Sequence, residues 1–136
     1  MSAFAFTHPI EVRFRDCDSM GHVNHAVYLT FIEQCRLMFW RQLTGAPKPA
    51  TSVIVARVEC DYRAPAYFGE RLEVRLRVDR IGRSSFDLVY EIVNVGSSSR
   101  VADAKTVMVT YDYTAGKPVT VPAETRTLLE TWMAPR

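Results

Sequence analysis

The stretch Asp16-Cys17-Asp18-Ser19-Met20-Gly21-His22-Val23-Asn24-His25 gathers two carboxylates, two imidazoles, an amide and a glycine. A carboxylate in such a loop can attack an electrophilic carbon or take a proton from water. A helix that begins just after the loop adds unpaired backbone N–H groups and the positive end of its dipole. Donors aimed at one point stabilise an oxyanion. The same residues also have plainer uses. Asp18 or Asn24 could cap the helix, and by frequency alone capping is the commoner role. His22 and His25 could be ordinary loop histidines. With His8 the one further histidine, the set is too poor in ligands to predict a metal site.

The elements that must hold this loop follow from hydrophobic period. Residues 10–15 alternate, with Ile10, Val12 and Phe14 on one side and Glu11, Arg13 and Arg15 on the other, which predicts a strand. Residues 24–44 take helical period. Val27, Tyr28, Phe31, Ile32, Cys35, Met38, Phe39 and Leu43 share a broad arc. The other arc carries Thr30, Glu33, Gln34, Arg36 and Arg41, but also Leu29, Leu37 and Trp40. So wide an apolar surface predicts a helix largely enclosed by other structure. Gly45, Pro47 and Pro49 end it.

Four more strands follow, over 53–62, 70–81, 85–95 and 101–113. The first puts Ile54, Ala56, Val58, Cys60 and Tyr62 inside. The second puts Leu72, Val74, Leu76 and Val78 inside, and the third Phe86, Leu88, Tyr90 and Ile92. Residues 122–133 form a short helix from Pro122. The expected fold is α+β: a five-stranded antiparallel sheet wrapped around one long helix. Its free edges invite pairing with a second copy, which predicts a homodimer or homotetramer.

Length and composition agree with one domain over 1–136. The chain is 48% hydrophobic and 24% charged, with a net charge of +2, too balanced to predict nucleic-acid binding. No apolar run is long enough for a membrane span, and the start Met1-Ser2-Ala3-Phe4-Ala5-Phe6 does not read as a secretory signal. Three cysteines without a CxxC pair predict neither a disulfide framework nor zinc, and fit a reducing cytoplasm.

The 15–28 segment resembles the active-site loop of the hotdog-fold acyl-CoA thioesterases, in particular the 4-hydroxybenzoyl-CoA thioesterase type. Asp16-Cys17-Asp18, Gly21, Val23 and Tyr28 carry the likeness in order. Asp61-Tyr62-Arg63-Ala64-Pro65-Ala66-Tyr67-Phe68-Gly69-Glu70 resembles the connection from the family's second strand to its third, and the element order agrees along the whole chain. The resemblance implies a hotdog fold and hydrolysis of an acyl-CoA thioester, with no cofactor. It implies Asp18 as nucleophile or general base, the backbone N–H near His25 as the group that polarises the carbonyl, and Tyr28 as a lining residue. His22-Val23-Asn24 departs from the 4-hydroxybenzoyl type and is closer to the His-Val-Asn of acyl-carrier-protein thioesterases. That adds His22 to the catalytic candidates and Asn24 to the substrate-binding ones. Asp16 is expected in a structural bond, and Glu33 is a second-choice carboxylate.

Arg63, Arg83 and Arg100 lie in or near turns where they could meet phosphates, with Ser84 and Ser85 beside Arg83. For any single one of them a solvated basic surface is the favoured reading. Phe31, Tyr67 and Phe68 are candidates for an acyl pocket, and equally for core or interface. Two other readings keep the same fold: a non-catalytic acyl-CoA or aromatic-ligand binding protein, and a hydratase or dehydratase.

Overall fold

A computed structural model describes residues 6–45 and 52–133. Pro47, Pro49 and the stretch before Phe6 lie outside the described residues. Six strands and two helices follow in order: β1 Phe6–Glu11, α1 Val27–Thr44, β2 Val53–Tyr62, β3 Arg71–Ile81, β4 Ser85–Asn94, β5 Arg100–Asp112, β6 Lys117–Pro118 and α2 Ala123–Glu130. The sheet runs β1-β3-β4-β5-β2, antiparallel throughout, with the two-residue β6 paired to β5. The sheet and its long helix form the expected hotdog arrangement.

The central strands follow their alternation. Leu72, Val74, Leu76 and Val78 of β3 and Phe86, Leu88, Tyr90 and Ile92 of β4 are buried, and Phe31, Ile32, Cys35 and Phe39 of α1 are buried in the same core. Each such side chain contributes about 1.5–3 kcal/mol by leaving water. Burial pushes the Cys35 thiol up to about 12. Gly45 takes a left-handed φ of 71° and returns its N–H to Arg41, which closes α1.

Three expectations change. The first strand lies at Phe6–Glu11 rather than 10–15. Pro9 is tolerated because β1 is an edge strand. Beyond Val12 the chain turns at Phe14–Asp16, because Asp16 recaptures Arg13, and Phe14 is left 79% exposed instead of inside. In α1 one broad face is buried and not the whole girth. Trp40 stacks on Phe86 at 5.7 Å, whereas Leu29, Leu37 and Met38 stand exposed.

The third change is β2. Val58 and Tyr62 are exposed at 44% and 48%, and Ala56 is exposed as well, at a register shift between Val55 and Arg57. Alternation gives the face of a residue but not whether anything covers it. Strand β2 ends the sheet, with no neighbour on its outer side among the described residues.

Candidate functional site

The loop between β1 and α1 is built by backbone closure around two carboxylates. Asp16 is 2% exposed; it accepts the Arg13 N–H at 2.8 Å and forms an ion pair with the Arg13 guanidinium at 2.8 Å. Burial pushes its carboxyl up, but the Arg13 bonds and the charges of Arg13 and Arg15 outweigh that and hold it below the usual carboxylate value. Asp16 is thus the structural residue expected. Its carbonyl accepts Asn24 N–H at 2.9 Å, which folds the far end of the loop back onto the near end. Between them Asp18 N–H bonds His22 O and Gly21 N–H bonds Asp18 O, both at 3.0 Å. Gly21 sits at φ 87°, where a side chain would be strained.

Asp18 is half-buried. One oxygen accepts Met20 N–H at 2.9 Å, and the other meets the Asn24 amide at 3.3 Å. Asn24 is therefore occupied by the protein. Its Nδ2 faces Asp18, its Oδ1 accepts Ala26 N–H at 3.0 Å, and its carbonyl accepts Val27 N–H at 2.9 Å. The helix has no side-chain cap at Ala26, the residue before Val27. Asn24 fills that role from two residues upstream and connects α1 to Asp18. The expected helix start at residue 24 is a turn held by this side chain, and α1 begins at Val27.

The peptide between Asn24 and His25 is planar and trans, so its N–H points opposite to its C=O. The C=O is turned towards Val27. The His25 N–H therefore points away from the helix, and it has no acceptor among the described residues. His22 Nδ1 lies 3.2 Å from the Val23 carbonyl, and Val23 N–H bonds Ala66 O at 2.8 Å. That bond fixes the loop to the connection after β2.

A cleft of about 380 Å³ collects these groups, with Asp18, His22, His25, Tyr28, Tyr62 and Arg63 on its walls. Tyr28 is 3% exposed and packs edge-on to Tyr62 at 5.3 Å, so it belongs to both core and cleft. The Tyr62 hydroxyl donates to the His25 carbonyl at 2.8 Å. Burial raises both tyrosines above the ordinary tyrosine value, so both hydroxyls keep their protons at neutral pH.

Among the sequence candidates, Asp18, His22, His25 and Tyr28 meet here, with Asn24 bridging behind them. Arg83 and Ser84 do not join them within one chain. β3 starts at Arg71, opposite Glu11 and next to the loop, and runs 11 residues to Ile81 before the turn that holds both. That is roughly 35 Å of strand. Arg63 does line the cleft, and it also borders a trough on the sheet's outer face with Arg75 and Arg100. Arg63 is bonded to Asp103 at 2.9 Å, and Arg100 lies 3.5 Å from Glu91. Glu33 is exposed and lines a groove with Leu37 and Val55 that Asp18 does not border. Phe31 is core, and Tyr67 and Phe68 are exposed, with Phe68 edge-on to Phe14 at 5.9 Å. Among the described residues no three His, Cys, Asp or Glu side chains cluster as metal ligands.

Sequence reasoning misses the Tyr62 bond and the double use of Asn24. Tyr62 reads as an inward strand residue, and nothing in its spacing signals a partner 37 positions earlier.

A model of the thioesterase-like superfamily matches residues 12–129. The chain belongs to that superfamily. It is 27% identical over 128 residues to the acyl-CoA thioester hydrolase YbgC of Escherichia coli, covering 90% of this chain and 93% of that protein. It is 29% identical over 132 residues to the uncharacterised protein YsmA of Bacillus subtilis, covering 96% and 89%. Among solved structures, a thioesterase of Thermus thermophilus in complex with coenzyme A and zinc superposes with a TM-score of 0.87. It shares 29% identity over 97% of this chain and 96% of that one. The superfamily match covers the whole Asp18 loop, α1 and the four long strands that follow it.

Proposed function

We propose that the protein hydrolyses an acyl-CoA thioester to the free acid and CoA at the Asp18 cleft. One observation carries the reading. Asp18 and His25 line the same cleft, the His25 N–H has no acceptor among the described residues, and Asn24 is bonded to Asp18 while shaping the turn that carries His25. A thioester is more electrophilic than an oxygen ester, and its thiolate leaves readily, so one carboxylate and one fixed donor suffice without a serine–histidine pair.

In this reading the His25 N–H binds the carbonyl oxygen and stabilises the charge that develops there. Asp18 either attacks the carbonyl carbon or removes a proton from the water that does. The C–S bond breaks, the thiolate takes up a proton, and the acid is released. If Asp18 attacks, water then hydrolyses the acyl–Asp18 anhydride. His22, on the same wall, handles a proton in either route, and Tyr28 bounds the acyl group. Arg63 is the cationic side chain placed to meet the CoA phosphates. Arg83 and Ser84 could reach the cleft only from a second copy.

A second copy fits the free edge of β2. Val55 and Val58 there, with Leu29 and Leu37 of α1, are exposed apolar residues that pairing would cover. We propose a homodimer joined along β2, for which Val58→Arg reduces the mass measured by light scattering to that of one chain. The three cysteines are unpaired, which suits a reducing, cytoplasmic setting. No described helix is long and apolar enough to cross a membrane.

The test is a thiol-release screen over aromatic, short, medium and long acyl-CoAs, with Asp18→Ala as control. Release by the wild type and its loss in the variant support the reading. Tight acyl-CoA binding without turnover would move the protein to the class of non-catalytic binders.

A further inference from the structure

Tyr62 lies at the end of the edge strand β2, 48% exposed, yet its hydroxyl makes a specific bond into the loop before α1. Its acceptor is the His25 carbonyl, at 2.8 Å. The first-turn amides Val27 N–H and Leu29 N–H close on Asn24 O and Ala26 O instead. The peptide from His25 to Ala26 is thereby held at both ends. Tyr62 grips its C=O, and Asn24 Oδ1 grips its N–H at 3.0 Å. A planar peptide held at two opposite atoms has little freedom to rock about the chain axis. The next peptide towards the N-terminus carries the free His25 N–H.

We infer that Tyr62 is a positioning residue: its hydroxyl, through the His25 carbonyl, fixes the peptide frame that aims the His25 N–H at the substrate carbonyl. This rests on the proposed thioester hydrolysis and adds to it a second-strand residue acting on the reaction. The ring has a second fixed contact. It packs edge-on against Tyr28 at 5.3 Å, and Tyr28 is rooted in the core, so the hydroxyl is held and does not wander with an exposed side chain. A frame that is loose by a fraction of an ångström weakens a bond needed most as charge grows on the oxygen, and leaves ground-state binding largely intact.

The test is Tyr62→Phe in the full-length protein, which keeps the ring and its packing and removes only the hydroxyl. The wild type and Asp18→Asn are run beside it on one acyl-CoA substrate. The second measurement is the carbonyl stretch of a bound ketone analogue of acyl-CoA, in which a methylene replaces the thioester sulfur and the carbonyl carbon is isotopically labelled. Tyr62→Phe is expected to lower kcat about tenfold, the weight of one neutral hydrogen bond. KM stays within about twofold, since the lost contact is made to the protein and not to substrate. The analogue's stretch moves back towards its value in water.

An unchanged kcat, a loss carried entirely in KM, or an unmoved stretch with a lowered melting temperature would each overturn the inference. These outcomes are distinct from failure of the functional reading itself. If the wild type releases no thiol, both fall. If the wild type hydrolyses substrate, Asp18→Asn does not and Tyr62→Phe behaves as wild type, only the role of Tyr62 falls.

Discussion

The segment from Arg13 to Asn24 holds two carboxylates two residues apart in unlike surroundings. Asp16 is buried, receives a backbone N–H and a guanidinium from one residue, and its carbonyl closes the loop onto Asn24. Asp18 is half-buried, takes a Met20 N–H and a longer Asn24 contact, and faces a cleft. The difference separates two uses of one side chain. A carboxylate whose lone pairs are filled by a cation and an amide stabilises the turn and has little left to offer a substrate. One that lines a cleft and is bonded to no cation keeps lone pairs for whatever enters. Sequence spacing alone cannot assign these roles, since Asp-x-Asp is symmetric; the Arg13 side of the turn breaks the symmetry.

The strongest way to break this comparison is to exchange charge for amide at each position. Asp18→Asn is expected to reduce kcat/KM by about 10²–10⁴, the range for a lost general base or nucleophile, with the melting temperature close to that of wild type. Asp16→Asn is expected to do the reverse. It lowers unfolding free energy by about 2 kcal/mol in urea titration, a figure kept modest because Arg13 is 60% exposed and its charge is screened. Its kcat/KM falls only as far as the loop loosens. Parallel losses of activity and stability in both variants would mean the two carboxylates form one network and not two regions.

The pH dependence sharpens the same contrast. The folded pKa of Asp16 is depressed, so its contribution to stability is fully present above its unfolded value, ~3.9. It is lost as pH falls through the lower folded value. Melting temperature measured down through that acid range should fall more steeply for wild type than for Asp16→Asn. Superposable acid limbs would remove the ion pair from the account of the loop.

How much of this is legible in the sequence depends on what each residue answers to. The β3 and β4 core residues answer to alternation, and their inward faces are buried as it predicts. The Asp18 loop is legible because residue type, Gly21 and the helix onset lie within one short stretch. Strand β2 reads as inward along its length, yet only Cys60 and Ile54 of its expected inward residues are partly buried while Ala56, Val58 and Tyr62 are exposed, because burial depends on a neighbour and β2 has one on a single side. Phe14 misleads because the alternation of 10–15 continues past the point where Asp16 pulls the backbone into a turn. Trp40 falls on the polar arc, yet the sheet brings Phe86 over it. Arg83 is a candidate by its charge and its place in a turn, and only strand length shows that it lies at the far end of the sheet. Contacts between distant segments, such as Tyr62 with His25, carry no local signal at all.

Asn24 stands between the two regions, because its N–H belongs to the Asp16 side and its side chain to the Asp18 side. Asn24→Ala keeps the backbone bond and removes both side-chain contacts. Its expected cost to kcat is about tenfold, since Asp18 loses one orienting donor and the Ala26 N–H loses its acceptor. Asn24→Asp separates the two functions further. It retains an acceptor for Ala26 N–H, so the helix start is preserved, but it places a second negative charge where Asp18 now meets an amide. The two carboxylates would then compete for one proton, and the acid limb of the pH–rate profile should shift to higher pH, as for any like-charge pair in contact. A helix start preserved by circular dichroism together with that shift assigns Asn24 to holding Asp18. An unshifted profile with lost activity would instead make Asn24 a substrate contact, as the family resemblance implies.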